Sequence, residues 1–180
     1  MLNWFKDRHR RATIARSLYG SSVAQARAVT FYRDWHVADA IEGRFELVTL
    51  HVALLLRRLT AEGAAGKRLG QALLEAMVSA LDDDMRAIGV GDYTVPKRVQ
   101  GAASAFYGRL RAYDEALTAG DMGKLRAAFL RNVPPAPGGT LQADKLADYA
   151  VRLASDLARQ PFDALNQGHV SFARLEGLQA

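Results

Sequence analysis

Between residues 97 and 117, apolar side chains recur at Val99, Ala103, Phe106, Leu110, Tyr113 and Leu117, in alternating steps of four and three. That spacing holds them on one face of a helix and excludes a strand, whose side chains alternate with period two. The same rhythm runs through residues 41–60 as Phe45, Val48, Val52, Leu55 and Leu59. Leu47, Leu50, Leu54 and Leu56 widen that face, so this helix is expected at the centre of the fold, buried on most sides. Residues 67–88 repeat it with Leu69, Leu73, Met77, Leu81, Met85 and Ile88.

Punctuation supports the helical reading. Gly89 and Gly91 are expected to stop the third segment, and Pro96 suits the first turn of the next. Gly120 ends that helix, and Asp121 can cap a short one bearing Met122, Leu125 and Phe129. Residues 133–139, Val-Pro-Pro-Ala-Pro-Gly-Gly, read as a loop. Thr140 is expected to cap a helix with Leu146, Tyr149, Leu153 and Leu157, interrupted by Pro161. No segment alternates with period two, and no repeat of 20–50 residues is present. The fold class is therefore all-α: a single compact domain of about six to eight helices over residues 17–180, more elaborate than a four-helix bundle, preceded by a basic segment, 1–16.

A chain of 180 residues with 49% hydrophobic and 24% charged side chains can bury one core, and its composition argues against disorder. Cysteine is absent, which excludes disulfides, thiolate zinc sites and a thiol nucleophile. The formal charge is +5, and residues 1–16, with five basic side chains against Asp7, carry four of those charges. A nucleic-acid surface spread over the whole domain loses its support there. The most apolar stretch, Phe45 to Leu56, contains Glu46, Thr49 and His51 and ends at Arg57-Arg58, so it does not read as a membrane span of about 20 apolar residues. The opening residues do not form a secretory signal, and the expected location is the cytoplasm.

Catalytic constellations are lacking. His9, His36, His51 and His169 have no second histidine at metal-binding spacing. Asp82, Asp83 and Asp84 diverge around a helix, and Asp82 suits an ion pair with Arg86. Gly89-Val90-Gly91-Asp92 lacks the strand and the third glycine of a phosphate loop. No enzymatic activity, metal or other cofactor is expected.

Two features suggest binding. Trp4, Phe5, Lys6, Arg8, Arg10 and Arg11 combine aromatic and basic side chains in the manner of an interfacial membrane anchor, and the alternative function is a peripheral membrane or nucleic-acid-binding helical protein using this basic terminus; the plain alternative is a solvated terminus. Arg–aromatic clusters recur at Arg27 with Phe31-Tyr32, at Arg44-Phe45, and at Phe106-Tyr107-Gly108-Arg109. Arginine and tyrosine favour protein interfaces. Alternatively, the phenylalanines belong to the core and the arginines cap or snorkel.

Taken in order, these residues resemble the ubiquinol–cytochrome c chaperone family. The series opens with Leu18-Tyr19-Gly20, Ala26-Arg27 and Phe31-Tyr32, followed by Glu42-Gly43-Arg44-Phe45-Glu46, Leu50-His51 and Arg57-Arg58-Leu59. It continues through Met85-Arg86-Ala87-Ile88-Gly89-Val90-Gly91-Asp92 and Val95-Pro96-Lys97-Arg98 to Phe106-Tyr107-Gly108-Arg109, Ala112-Tyr113 and Arg131-Asn132-Val133. Ala87, where family members often carry an acid, and the missing proline near Val29 or Thr30 depart from the pattern. The resemblance implies an assembly chaperone of the respiratory cytochrome bc1 complex, of the compact bacterial form, that binds newly made cytochrome b without catalysis. It leaves room for a small co-chaperone and for peripheral contact with the inner membrane or the ribosome; no specific DNA is implied. The partner face is then expected to include Arg27, Phe31, Tyr32, Glu42, Arg44, Phe45, His51, Asp92, Lys97, Arg98, Tyr107 and Arg109. Arg44 could pair with Asp92 or another carboxylate, Gly108 could permit close helix packing, and His51 could be structural.

Overall fold

A computed structural model describes residues 2–87, 89, 94–172 and 175, without the side chains of residues 2–5. The described residues form eight helices: α1 (Leu2–Ala26), α2 (Val29–Arg33), α3 (Ile41–Thr60), α4 (Gly63–Ala87), α5 (Val95–Ala119), α6 (Met122–Asn132), α7 (Ala143–Arg159) and α8 (Phe162–Leu165). The only extended pairing among them is an isolated bridge between Val37 and Pro135.

Helix α3 is the axis of the molecule and packs against α1, α4, α5 and α7. Every residue from Glu46 to Leu56 except Val48 is buried. Its neighbours each contribute one stripe: Leu69, Leu73 and Met77 from α4, Phe106, Tyr113 and Ala116 from α5, and Leu146, Tyr149, Leu153 and Leu157 from α7. Helix α1 is the element that the apolar rhythm does not reveal. It runs unbroken through residue 16, so no boundary between 16 and 17 is visible in the secondary structure. Its buried stripe is Ala15, Leu18, Ser22 and Ala26, mostly small side chains with little hydrophobic signature.

The helix ends follow local chemistry. Asp121 accepts the Lys124 amide at 2.9 Å and caps α6. Gly120 adopts φ 63° to end α5. Gly89 has φ 81° beyond α4, while Ile88 and Gly91 lie outside the described residues. Thr140 does not cap α7; that helix starts at Ala143 after Gln142, with no side-chain cap.

Two close approaches lock the frame of α3. A Cβ on Gly43 would sit 2.0 Å from the Ala38 carbonyl oxygen, and one on Gly66 would sit 1.9 Å from that of Leu59. Glycine is required at both places to let helix meet backbone. The Pro-Gly loop also clasps the segment before α3. The Ala38 amide donates to Pro134 O at 2.9 Å, the Ala136 amide to His36 O at 2.7 Å, and the Gln142 amide to Trp35 O at 3.0 Å. Gly108 has nothing within 4 Å of a would-be Cβ, so close helix packing does not explain it.

Candidate partner-binding groove

A groove of about 590 Å³ opens where α1, α2, α3, α4 and α5 converge. Val23 from α1, Phe45 and Val48 from α3, and Met77, Leu81 and Met85 from α4 give it an apolar lining. Tyr19, Tyr32 and Ile41 add edges, and Ile41 stands 67% exposed at its mouth. The Met77, Leu81 and Met85 column arises from four-residue spacing on α4: Met77 is buried, whereas Leu81 and Met85 are only partly covered. Methionine is unbranched and polarisable, so such a lining adapts to apolar shapes that differ in detail.

The charged border is balanced: Arg27 and Arg44 against Glu42 and Asp84. Arg44 Nε donates to Asp39 at 2.8 Å, which holds the guanidinium at the surface and raises its pKa; Asp39, on the approach to α3, is its partner. The Tyr32 hydroxyl donates to Ala26 O at 2.8 Å, tying α2 to the end of α1. Burial, helped by nearby Asp39, pushes its pKa up. Tyr19 is shifted the same way by burial and then by Asp84. Both phenols therefore stay neutral and present rings with polar tips.

Of the residues singled out in the sequence, the groove gathers Arg27, Tyr32, Glu42, Arg44 and Phe45. Two others are corrected by burial, and a third, Arg109, is placed away from the groove. Phe31 is fully buried, edge-on to Trp35 at 5.1 Å and to Tyr149 at 5.3 Å between ring centroids, so it is core. His51 is also fully buried. Its Nδ1–H donates to Leu47 O at 2.7 Å, and its Nε2 accepts from the Tyr149 hydroxyl at 2.8 Å. Gln25 Nε2 donates to the same hydroxyl at 3.1 Å, closing a link between α1, α3 and α7. Loss of hydration depresses the His51 pKa to about 4, so the ring is neutral. Arg109 is turned inward onto Glu46 with three contacts of 2.6–2.9 Å, and its Nη1 donates to Ala105 O at 3.1 Å. It pairs with α3 and does not line the groove.

Tyr107 is exposed on a separate groove of about 550 Å³ with Leu56, Arg57, Leu110, Arg111 and Asp114. Lys97 and Arg98 are exposed on the first turn of α5 and do not border the first groove. Asp92 lies outside the described residues. Lys6, Arg8 and Arg10 are exposed on α1 and Arg11 is half-buried there; for Trp4 and Phe5 only the helical backbone is described.

Sequence reasoning missed Tyr19, Val23, Ile41, Met77, Leu81 and Met85 as groove residues. For Met77, Leu81 and Met85 the legible signal is the apolar stripe on α4, which extends past what the core covers; Tyr19 and Met85 also stand in the family series, and Val23 and Ile41 carry no such signal. Among the described residues no group of acidic or histidine side chains could hold a metal ion, and no helix is long and apolar enough to cross a membrane.

Comparison with known proteins bears on this geometry. Residues 33–172 match the family model described as ubiquinol-cytochrome C chaperone. Ubiquinol-cytochrome c reductase complex assembly factor 1 of Drosophila melanogaster is 29% identical over 151 residues, covering 81% of this chain and 58% of the fly protein. The Homo sapiens protein of the same name is 28% identical over 114 residues, covering 63% of this chain and 38% of its own. The chain thus spans little more than half of the fly relative and less than half of the human one. A crystal structure of the Cbp3 homolog from Brucella abortus superposes with a TM-score of 0.81 at 33% identity, over 97% of both chains.

Proposed function

Because the chain belongs to the ubiquinol–cytochrome c chaperone family, we propose that it assists assembly of the cytochrome bc1 complex by holding an apolar segment of newly made cytochrome b in the groove between α1, α3 and α4. The observation that carries this reading is the groove itself: a methionine-bearing apolar lining with a mixed-charge rim, open beside the core. Its volume lies within the range of about 300–1,000 Å³ that suits compact ligands. It therefore accommodates a few side chains from one face of a client helix, not a whole span. A membrane protein outside the bilayer exposes apolar helix surface that water solvates poorly, and an apolar groove covers part of it reversibly. The rim charges satisfy polar groups at the edge of the contact. Binding and release of this kind need no covalent chemistry, and the groove residues form no nucleophile–base pair.

The test is affinity capture of the tagged chain in mild detergent, read by mass spectrometry, beside an Ile41→Asp variant. Ile41 is exposed, so the variant should melt with the wild type. Cytochrome b enriched by the wild type and lost from the variant supports the reading. Equal capture by both removes the groove from it.

A further inference from the structure

We propose that the first turns of α1 form a docking site for an anionic lipid surface, separate from the client groove. Residues 6–10 are all exposed. Five consecutive helical residues at 100° steps cover the full circumference, so this stretch is solvated on every side. Ala15 is the first fully buried side chain described on the helix. Side chains exposed in this way add little to the fold through packing.

Charge is concentrated on that stretch. Lys6, Arg8, Arg10 and Arg11 stand within six residues, with Asp7 the only acid before Asp34. The rest of the chain beyond residue 16 is nearly neutral, with 19 basic and 18 acidic side chains. No carboxylate among the described residues lies within ion-pair distance of Lys6, Arg10 or Arg11. Elsewhere the arginines are mostly spoken for, as in Arg57–Asp114, Arg58–Glu62 and Arg126–Asp144. Lys6, Arg10 and Arg11, exposed or half-exposed and without an ion-pair partner among the described residues, complement a negatively charged plane, and each Lys or Arg near such a surface is worth about 1 kcal/mol. Leu2, Trp4 and Phe5, in the opening turn, are residue types that partition to the headgroup boundary, which favours lipid over RNA as the occupant.

The experiment is flotation of the full chain with vesicles of phosphatidylcholine alone or with added phosphatidylglycerol at low salt. It compares wild type, Lys6→Gln/Arg10→Gln, and Lys67→Gln/Arg68→Gln. All four substituted side chains are exposed, and both variants lose the same net charge. The expected result is binding to the anionic vesicles only, weakened about thirtyfold by the first variant and little by the second. Binding to neutral vesicles as well, equal losses in the two variants, or retention on single-stranded RNA without retention on anionic vesicles would overturn the proposal.

Discussion

Arg109 reaches from α5 to α3 and grips both carboxylate oxygens of Glu46, with Nε 2.9 Å from each and Nη2 2.6 Å from one. Glu46 is 5% and Arg109 20% exposed at the side chain, so the pair sits at the inner edge of the interface between the two helices. The Glu46 hydrogen bond is the main cause of the raised Arg109 pKa. Glu46 follows Phe45, a groove residue, and the pair therefore fixes the helix that presents the groove.

Removing one partner should cost more than removing both. Arg109→Ala leaves a buried carboxylate uncompensated, and the expected loss is about 3 kcal/mol in urea unfolding. Glu46→Leu/Arg109→Leu should lose clearly less. If the single variant unfolds at the wild-type urea midpoint, the pair is not structural.

Stability should fall in mild acid through His51. Its folded pKa of about 4 lies below the unfolded value of 6.5. Below 6.5 the unfolded chain takes up a proton that the folded chain refuses, so this contribution is full above pH 6.5 and is lost as pH falls toward 4. The expected slope approaches about 1.4 kcal/mol per pH unit in that window. Unfolding at a series of pH values from 7 to 4 measures it. A His51→Gln chain should start less stable and lose this slope; an unchanged slope would mean that other groups set it.

Gly43→Ala should destabilise by about 2 kcal/mol or more, because the added methyl meets the Ala38 carbonyl at 2.0 Å and the clasp below α3 must shift. Gly108→Ala has open space and should instead stabilise slightly by improving helix propensity. Thermal melts of the two variants should move in opposite directions.

His36 holds φ 56° in the clasp, and its Nδ1 lies 3.1 Å from Thr140 O. His36→Val should cost about 2 kcal/mol, since a β-branched residue resists that region. His36→Gly should be close to neutral, losing one hydrogen bond but relieving the backbone. Equal losses in the two would rule out the backbone conformation as the cause.

The helices with long apolar side chains could be read directly. Residues 41–60 bound α3 as the spacing indicates, and the Val99 to Leu117 rhythm locates α5. Helix α1 was less legible, because its buried stripe is Ala15, Leu18, Ser22 and Ala26. The site was half legible. Arg27, Tyr32, Glu42, Arg44 and Phe45 fall together, whereas Phe31 and His51 belong to the interior and Arg109 is held on buried Glu46. A motif records that a residue type is needed at a place. It does not separate a side chain needed inside from one needed at the surface, and only the crossing of α1, α3 and α4 sorts Phe31 from Phe45. Arg58 shows the same point: its guanidinium donates to the Leu157 and Gln160 carbonyls at 2.9 and 2.8 Å, closing the end of α7.

Occupancy of the groove by client is the central claim, and site-specific photo-cross-linking in the native cell tests it most directly. A photoreactive phenylalanine analogue would replace Ile41 at the mouth of the groove or, as a control, Val151, which is 40% exposed on α7. A cross-link to cytochrome b is expected from position 41 and none from position 151. Cytochrome b cross-linked only from 151, or from neither position while the chain still supports bc1 assembly, would contradict it.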